Sequence, residues 1–186
     1  MVREELSING VFLFTPKVFP DERGSFSELY RREQIPNGRE EVQWNYGRRK
    51  AGNLVGLHYH MHQSDLWFIP FGVARVVMHD LRTGSPTEGE TIVYDLGNAD
   101  FDSTKYELIY IPPGVAHGFG ALTDMGIMYL VDGYYNPKDE CGVAWDDPTI
   151  CAAWGIPEPT MSDRDLQNPL KTDLPDHLRP YWGMRT

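Results

Sequence analysis

From Gly52 to Asp80 the chain reads G-N-L-V-G-L-H-Y-H-M-H-Q-S-D-L-W-F-I-P-F-G-V-A-R-V-V-M-H-D. Three short runs stand out within it: residues 53–59, 66–71 and 73–80. Each is rich in β-branched, aromatic and aliphatic residues and is bounded by glycine or polar breaks, which is the pattern of buried strands. The run 73–80 is the most continuous, and we expect it to cross the core. Similar runs lie upstream at 10–17, 24–29 and 41–46. Others follow at 90–95, 108–111, 117–121, 125–131 and 142–145. Turn signals separate them, among them Pro20-Asp21-Glu22-Arg23-Gly24, Gly84-Ser85-Pro86 and Pro112-Pro113-Gly114. Helix-period stretches are scarce. The expectation is an all-β sandwich with jelly-roll spacing and short peripheral helices or turns. After about residue 148, prolines at 157, 159, 169, 175 and 180 exclude a long helix, while Ser162-Asp163-Arg164-Asp165 can open a short one.

The 186 residues suit one domain, 1–186, with this Pro-rich segment as its tail. The formal charge of −10 argues against nucleic acid as a partner, since phosphate neutralisation needs clustered Lys and Arg. No apolar run approaches the ~18–20 residues that span a bilayer, so no membrane partner is expected. Glu4 and Glu5 replace the basic-then-apolar order of a signal peptide, and a cytoplasmic location is the expectation. Cys141 and Cys151 then read as two reduced thiols.

His58, His60 and His62 alternate along one expected strand, which would turn all three to one face. Three imidazoles on one face are hard to explain as core filling. His117, just after Pro112-Pro113-Gly114, opens another strand and completes a candidate cluster. Two chemistries fit. One is a divalent metal, because imidazole and carboxylate donors suit Zn, Fe, Mn or Ni. The spacing Gly52, His58-x-His60, Asp65, Gly72 and then Pro112-x-Gly114-x-x-His117 resembles the two cupin motifs, with Asp65 at the usual Glu position. That resemblance implies His58, His60, Asp65 and His117 as the metal's ligands. The other is a metal-free acid/base site in which a histidine works with a carboxylate.

Seven ordered segments carry a closer resemblance. Asp21-Glu22-Arg23-Gly24-Ser25-Phe26-Ser27-Glu28, Gln43-Trp44-Asn45, Gly56-Leu57-His58-Tyr59, and Asp80-Leu81-Arg82-Thr83-Gly84-Ser85-Pro86-Thr87 come first. Tyr110-Ile111-Pro112-Pro113-Gly114-Val115-Ala116-His117-Gly118-Phe119, Trp145-Asp146-Asp147-Pro148 and Ser162-Asp163-Arg164-Asp165 follow. Together they resemble the dTDP-4-dehydrorhamnose 3,5-epimerase family. The resemblance implies a cupin-type jelly-roll homodimer, a nucleotide sugar with a 4-keto group as substrate, and no required cofactor. It implies His58 as base, Asp147 as its orienting carboxylate and Tyr129 as the acid on the opposite face. Phe26, Glu28, Gln43, Asn45 and His117 would contact the nucleotide sugar, and Arg23 the phosphates of the neighbouring subunit's ligand.

The chain departs from the family pattern at Val55, Asp65 and Val76, where the resemblance calls for Arg, Lys and Asp. The lysine is the cation expected beside the enolate oxygen, so a metal on Asp65 and the new histidines would restore that charge. Two other readings therefore stay open: a metal-dependent cupin of another class, and a non-catalytic sugar-nucleotide binder. Arg75 and His79, on the face opposite Val76, read as solvated or interface side chains.

Overall fold

The computed structural model describes residues 1–36, 39–100 and 105–183. Its strands are β1 (Val2–Glu5), β2 (Phe12–Thr15), β3 (Val18–Asp21), β4 (Gly24–Ser27), β5 (Gln43–Arg49) and β6 (Leu54–Tyr59). After these come β7 (Asp65–Asp80), β8 (Thr91–Asn98), β9 (Leu108–Ile111), β10 (Val115–Ala121), β11 (Met125–Val131) and β12 (Cys141–Gly142). All pairings between these strands are antiparallel. One sheet runs β1-β2-β9-β7-β11-β5 and the other β8-β7-β10-β6-β12. This is the expected cupin-type jelly roll. Short one-turn helices are the only helical elements among the described residues, α1 (Asp163–Leu166) included.

β7 belongs to both sheets. Its first half pairs with β9 and β11 through Asp65–Phe68, and its second half with β10 and β8 through Gly72–Asp80. The two runs read as separate strands are thus one strand with a bend. Gly72 permits the bend: its φ is +78°, and a Cβ there would strike Met125 and Thr123 at 2.7 Å. Two strands, β1 and β3, had no alternating apolar signal, since β1 and most of β3 are solvent-exposed. The run at 142–145 survives only as β12, and loop 143–145 packs under the C-terminal segment instead.

The main core lies between the sheets, where Ile8, Val11, Ala74, Val76, Met78, Leu96, Ile109 and Val115 are fully buried. A second cluster forms on the outer face of β6 and β10. There Leu54, Leu57, Tyr59 and Val77 are covered by Ile150, Trp154 and Leu174 from the Pro-rich segment. That cover decides the fate of His79. Sequence alternation read it as solvated or at an interface, yet it is fully buried: Nδ1 meets Thr91 Oγ1 at 2.9 Å and Nε2 meets Lys171 Nζ at 3.2 Å. Arg75 keeps partial exposure and pairs with Asp95 on β8 at 2.8 Å.

Candidate active site

A cavity of about 380 Å³ opens between the two sheets. One wall comes from β5 and β11, with Gln43, Asn45, Arg49, Ile127 and Tyr129. The other comes from β6 and β10, with Val55, His58, His117 and Phe119. Asp65 and Trp67 enter from β7, and His60, Gln63, Tyr135 and Glu140 complete the lining. β6 and β10 approach closely because neither Gly56 nor Gly118 has a side chain: a Cβ at Gly56 would lie 2.7 Å from Gly118 Cα. That contact sets His58 directly opposite His117 in the strand register.

His58 pairs with a different carboxylate from the one the sequence reading named. Its Nε2 lies 2.6 Å from Asp165 Oδ1, not from Asp147. Asp147 points elsewhere and caps local backbone, accepting from Thr149 N at 2.8 Å, Thr149 Oγ1 at 2.6 Å and Lys171 N at 2.6 Å. The physical reason is the helix start. Ser162 caps α1 by accepting from Asp165 N, and this first turn docks on β6 so that the Asp165 carboxylate meets His58. Burial by itself would raise the carboxyl pKa, but hydrogen bonds from His58, Ser162 and Gly56 and the nearby imidazole charge outweigh it, so Asp165 sits below the usual carboxylate range. An ionised carboxylate can only accept, so His58 Nε2 carries a hydrogen, and in the neutral ring Nδ1 keeps the lone pair. Glu140 Oε1 stands 3.8 Å from that Nδ1.

Tyr129, from the other sheet, is half-buried. Its hydroxyl pKa is raised by burial first and by the Asp65 and Glu140 carboxylates next, with Arg49 acting the other way. It is thus held protonated. Gln43 and Asn45 line the same cavity and bond to each other at 3.0 Å. Arg23, Phe26 and Glu28 do not reach this chain's cavity. Arg23 pairs with Asp21 on the β3–β4 turn, Phe26 is 68% exposed, and Glu28 pairs with Arg31.

Of the candidate metal residues, His60, Asp65 and His117 converge, with one ligand atom from each lying within 4.8 Å of the others. His58 stands outside this group because its Nε2 is occupied by Asp165. His62 does not join it either. β6 ends at Tyr59, so the alternation expected to align three histidines stops there, and His62 is exposed. Burial, ahead of the charges of His60 and His58, pushes the His117 pKa below the usual imidazole range against the pull of Asp65. Among the described lining residues Arg49 is the only fixed cation. The sequence reading missed Arg49, Trp67, Glu140 and Asp165. Only Asp165 had a signal, as the residue three beyond the capping Ser162 in a quoted family segment.

A family profile described as dTDP-4-dehydrorhamnose 3,5-epimerase matches residues 5–173. The spore coat polysaccharide biosynthesis protein SpsL of Bacillus subtilis is 41% identical over 152 residues, covering 79% of this chain and 96% of that protein. The dTDP-4-dehydrorhamnose 3,5-epimerase of Shigella flexneri is 34% identical over 167 residues, covering 86% and 90%. Among solved structures, the epimerase RmlC of Legionella pneumophila in complex with dTDP-4-keto-L-rhamnose superimposes with a TM-score of 0.88 at 28% identity, covering 97% of this chain and 98% of that one. With its jelly roll, its cavity between the sheets and these relatives, the chain belongs to the dTDP-4-dehydrorhamnose 3,5-epimerase family.

Proposed function

We propose that the protein is an isomerase acting on a dTDP-linked 4-keto-6-deoxysugar, moving a proton at a carbon next to the ketone. The observation that carries this reading is that His58, on one sheet and paired with Asp165 of α1, and Tyr129, on the other sheet, line one cavity. The ketone at carbon 4 acidifies the hydrogens of carbons 3 and 5. His58 Nδ1 takes one of these protons, and the C–H electron pair moves into the ketone to give an enolate. Tyr129 returns a proton from its hydroxyl to the opposite face, the ketone re-forms, and the carbon is inverted. Solvent exchange then resets both groups, so the reaction has no net change in composition. Asp165 fixes the tautomer of His58 and stabilises the imidazolium that forms. Arg49 supplies a cation for the diphosphate, and Gln43 and Asn45 supply amides for polar groups of the sugar nucleotide.

The reading extends to assembly. The β3–β4 hairpin pairs only with itself among the described strands and carries exposed Phe19 and Phe26, and β5 presents exposed Trp44 and Tyr46. Aromatic surface of this kind suits a homodimer in which Arg23, Phe26 and Glu28 serve the partner's cavity. The whole chain acts as one unit, and its two unpaired cysteines are in keeping with a cytoplasmic location.

The test is deuterium uptake at carbons 3 and 5 of a dTDP-4-keto-6-deoxyhexose in heavy water, followed by NMR. Wild-type protein is expected to exchange at least one position. His58→Ala should abolish exchange, and Tyr129→Phe should allow wash-in but block inversion. Exchange at the wild-type rate in both variants would overturn the assignment.

A further inference from the structure

The group formed by His60, Asp65 and His117 has an arrangement that acid/base chemistry at His58 does not explain. His60 Nδ1 lies 2.9 Å from the carbonyl oxygen of Asp139, and His117 Nδ1 lies 2.9 Å from the carbonyl oxygen of Val115. A carbonyl can only accept, so both Nδ1 atoms carry hydrogen and both Nε2 atoms present lone pairs in the neutral rings. These Nε2 atoms face the two oxygens of Asp65, at 3.8 Å from His60 to Oδ1 and 3.9 Å from His117 to Oδ2. Both distances are too long for hydrogen bonds. Asp65 is itself held in place, accepting from Gln63 Nε2 at 3.0 Å and from Trp67 Nε1 at 2.9 Å. All three side chains are buried, at 7%, 4% and 4% exposure. Three acceptors thus converge on one point, each oriented from behind by a separate partner.

We propose that His60, Asp65 and His117 form a binding site for one divalent first-row transition-metal ion in the wall of the cavity. Two imidazoles and one carboxylate without thiolate match the donor preference of Zn, Mn, Fe, Co and Ni. The hydrogen bonds behind the ligands are of the kind that orient metal-bound histidines and carboxylates. Metal–ligand bonds of about 2.0–2.2 Å place donor atoms roughly 3–3.6 Å apart, so the group closes by about an ångström when loaded. His58 is left out of the coordination by Asp165, and base and metal do not compete. The site faces the same cavity as Arg49 and Tyr129. On the epimerase reading of that cavity, the ion would add positive charge beside a developing enolate oxygen. That role rests on the proposed function, whereas the binding does not.

The experiment is titration of chelator-treated, untagged protein with Co²⁺, read by visible d–d absorption and by elemental analysis, with Zn²⁺ competition. Expected is one Co²⁺ per chain, displaced by Zn²⁺, with a rise in melting temperature. His60→Ala, Asp65→Asn and His117→Ala should each weaken binding by about tenfold or more, while exposed His62→Ala leaves it unchanged. The near-isosteric Asp65→Asn, checked by its own melting curve, guards against loss through misfolding. Failure of the wild type to take up stoichiometric Co²⁺, or uptake that survives all three substitutions, would overturn the site. No step depends on turnover, so absent metal leaves the proton-exchange reading standing, and absent exchange leaves the metal site standing.

Discussion

Replacing Asp165 by asparagine is expected to cripple proton abstraction while leaving the fold in place. In the wild type the Asp165 carboxylate stabilises the imidazolium that His58 becomes after it takes the proton. The contact is 2.6 Å between Oδ1 and Nε2, with side-chain exposures of 5% and 16%. For charge centres ~4 Å apart and an effective dielectric constant of about 20, the interaction is roughly 4 kcal/mol, and partial solvent screening brings it nearer 3. At about 1.4 kcal/mol per tenfold in rate, Asp165→Asn should slow exchange on the order of 10²–10³-fold. A second effect works in the same direction: an asparagine amide can donate to Nε2, which moves the ring hydrogen to Nδ1 and removes the basic lone pair. The control is Asp147→Asn. That carboxylate holds three local donors and does not touch His58. Its loss should cost about 1–3 kcal/mol of stability, visible as a melting temperature lower by roughly 3–10 °C, with exchange close to wild type. The assay is deuterium wash-in by NMR alongside thermal melts of both variants. Equal loss of exchange in the two variants, or an Asp165→Asn protein that exchanges at near wild-type rate, would refute the reasoning.

Three further outcomes are expected. Arg49→Ala should weaken dTDP binding about tenfold or more by calorimetry, since a charge-assisted contact contributes ~1.5–3 kcal/mol and no other fixed cation lines the cavity among the described residues. His79 is held to a pKa of about 4, chiefly by burial and then by the Lys171 ammonium, against 6.5 unfolded. The unfolded state therefore binds more protons between these values, so this contribution to stability is intact above pH 6.5 and is lost as pH falls toward 4. It amounts to roughly 3 kcal/mol, and urea titrations at pH 7 and pH 4.5 should show a smaller difference in His79→Gln. Gly56→Ala should lower the melting temperature and slow exchange together, because its Cβ would lie 2.7 Å from Gly118 Cα at a φ of +120°.

Legibility along the chain followed local physics. The buried strands were readable because both faces of β7 and β10 are covered, which leaves near-continuous apolar runs. β1 was not, since its four exposed residues carry no burial signal at all. At the site, His58, His117, Gln43, Asn45 and Tyr129 were all named from sequence and all line the cavity. The alternation argument failed at His62 because it assumed that the strand runs past Tyr59, and the chain turns there instead.

By itself, the sequence determined the all-β class, the family and seven of the residues that line the cavity, because these depend on composition, short-range periodicity and ordered motifs. It also contained the departure at Asp65. Tertiary structure alone decided which carboxylate serves His58. Asp147 and Asp165 are separated from it by 89 and 107 positions of chain, and only the docking of α1 on β6 selects the second. It likewise sorted the histidines, giving His58 to Asp165, His60 and His117 to Asp65, His62 to solvent and His79 to a buried contact under the C-terminal segment. Partner choice of this kind depends on how distant segments pack, and no local pattern of residues encodes it.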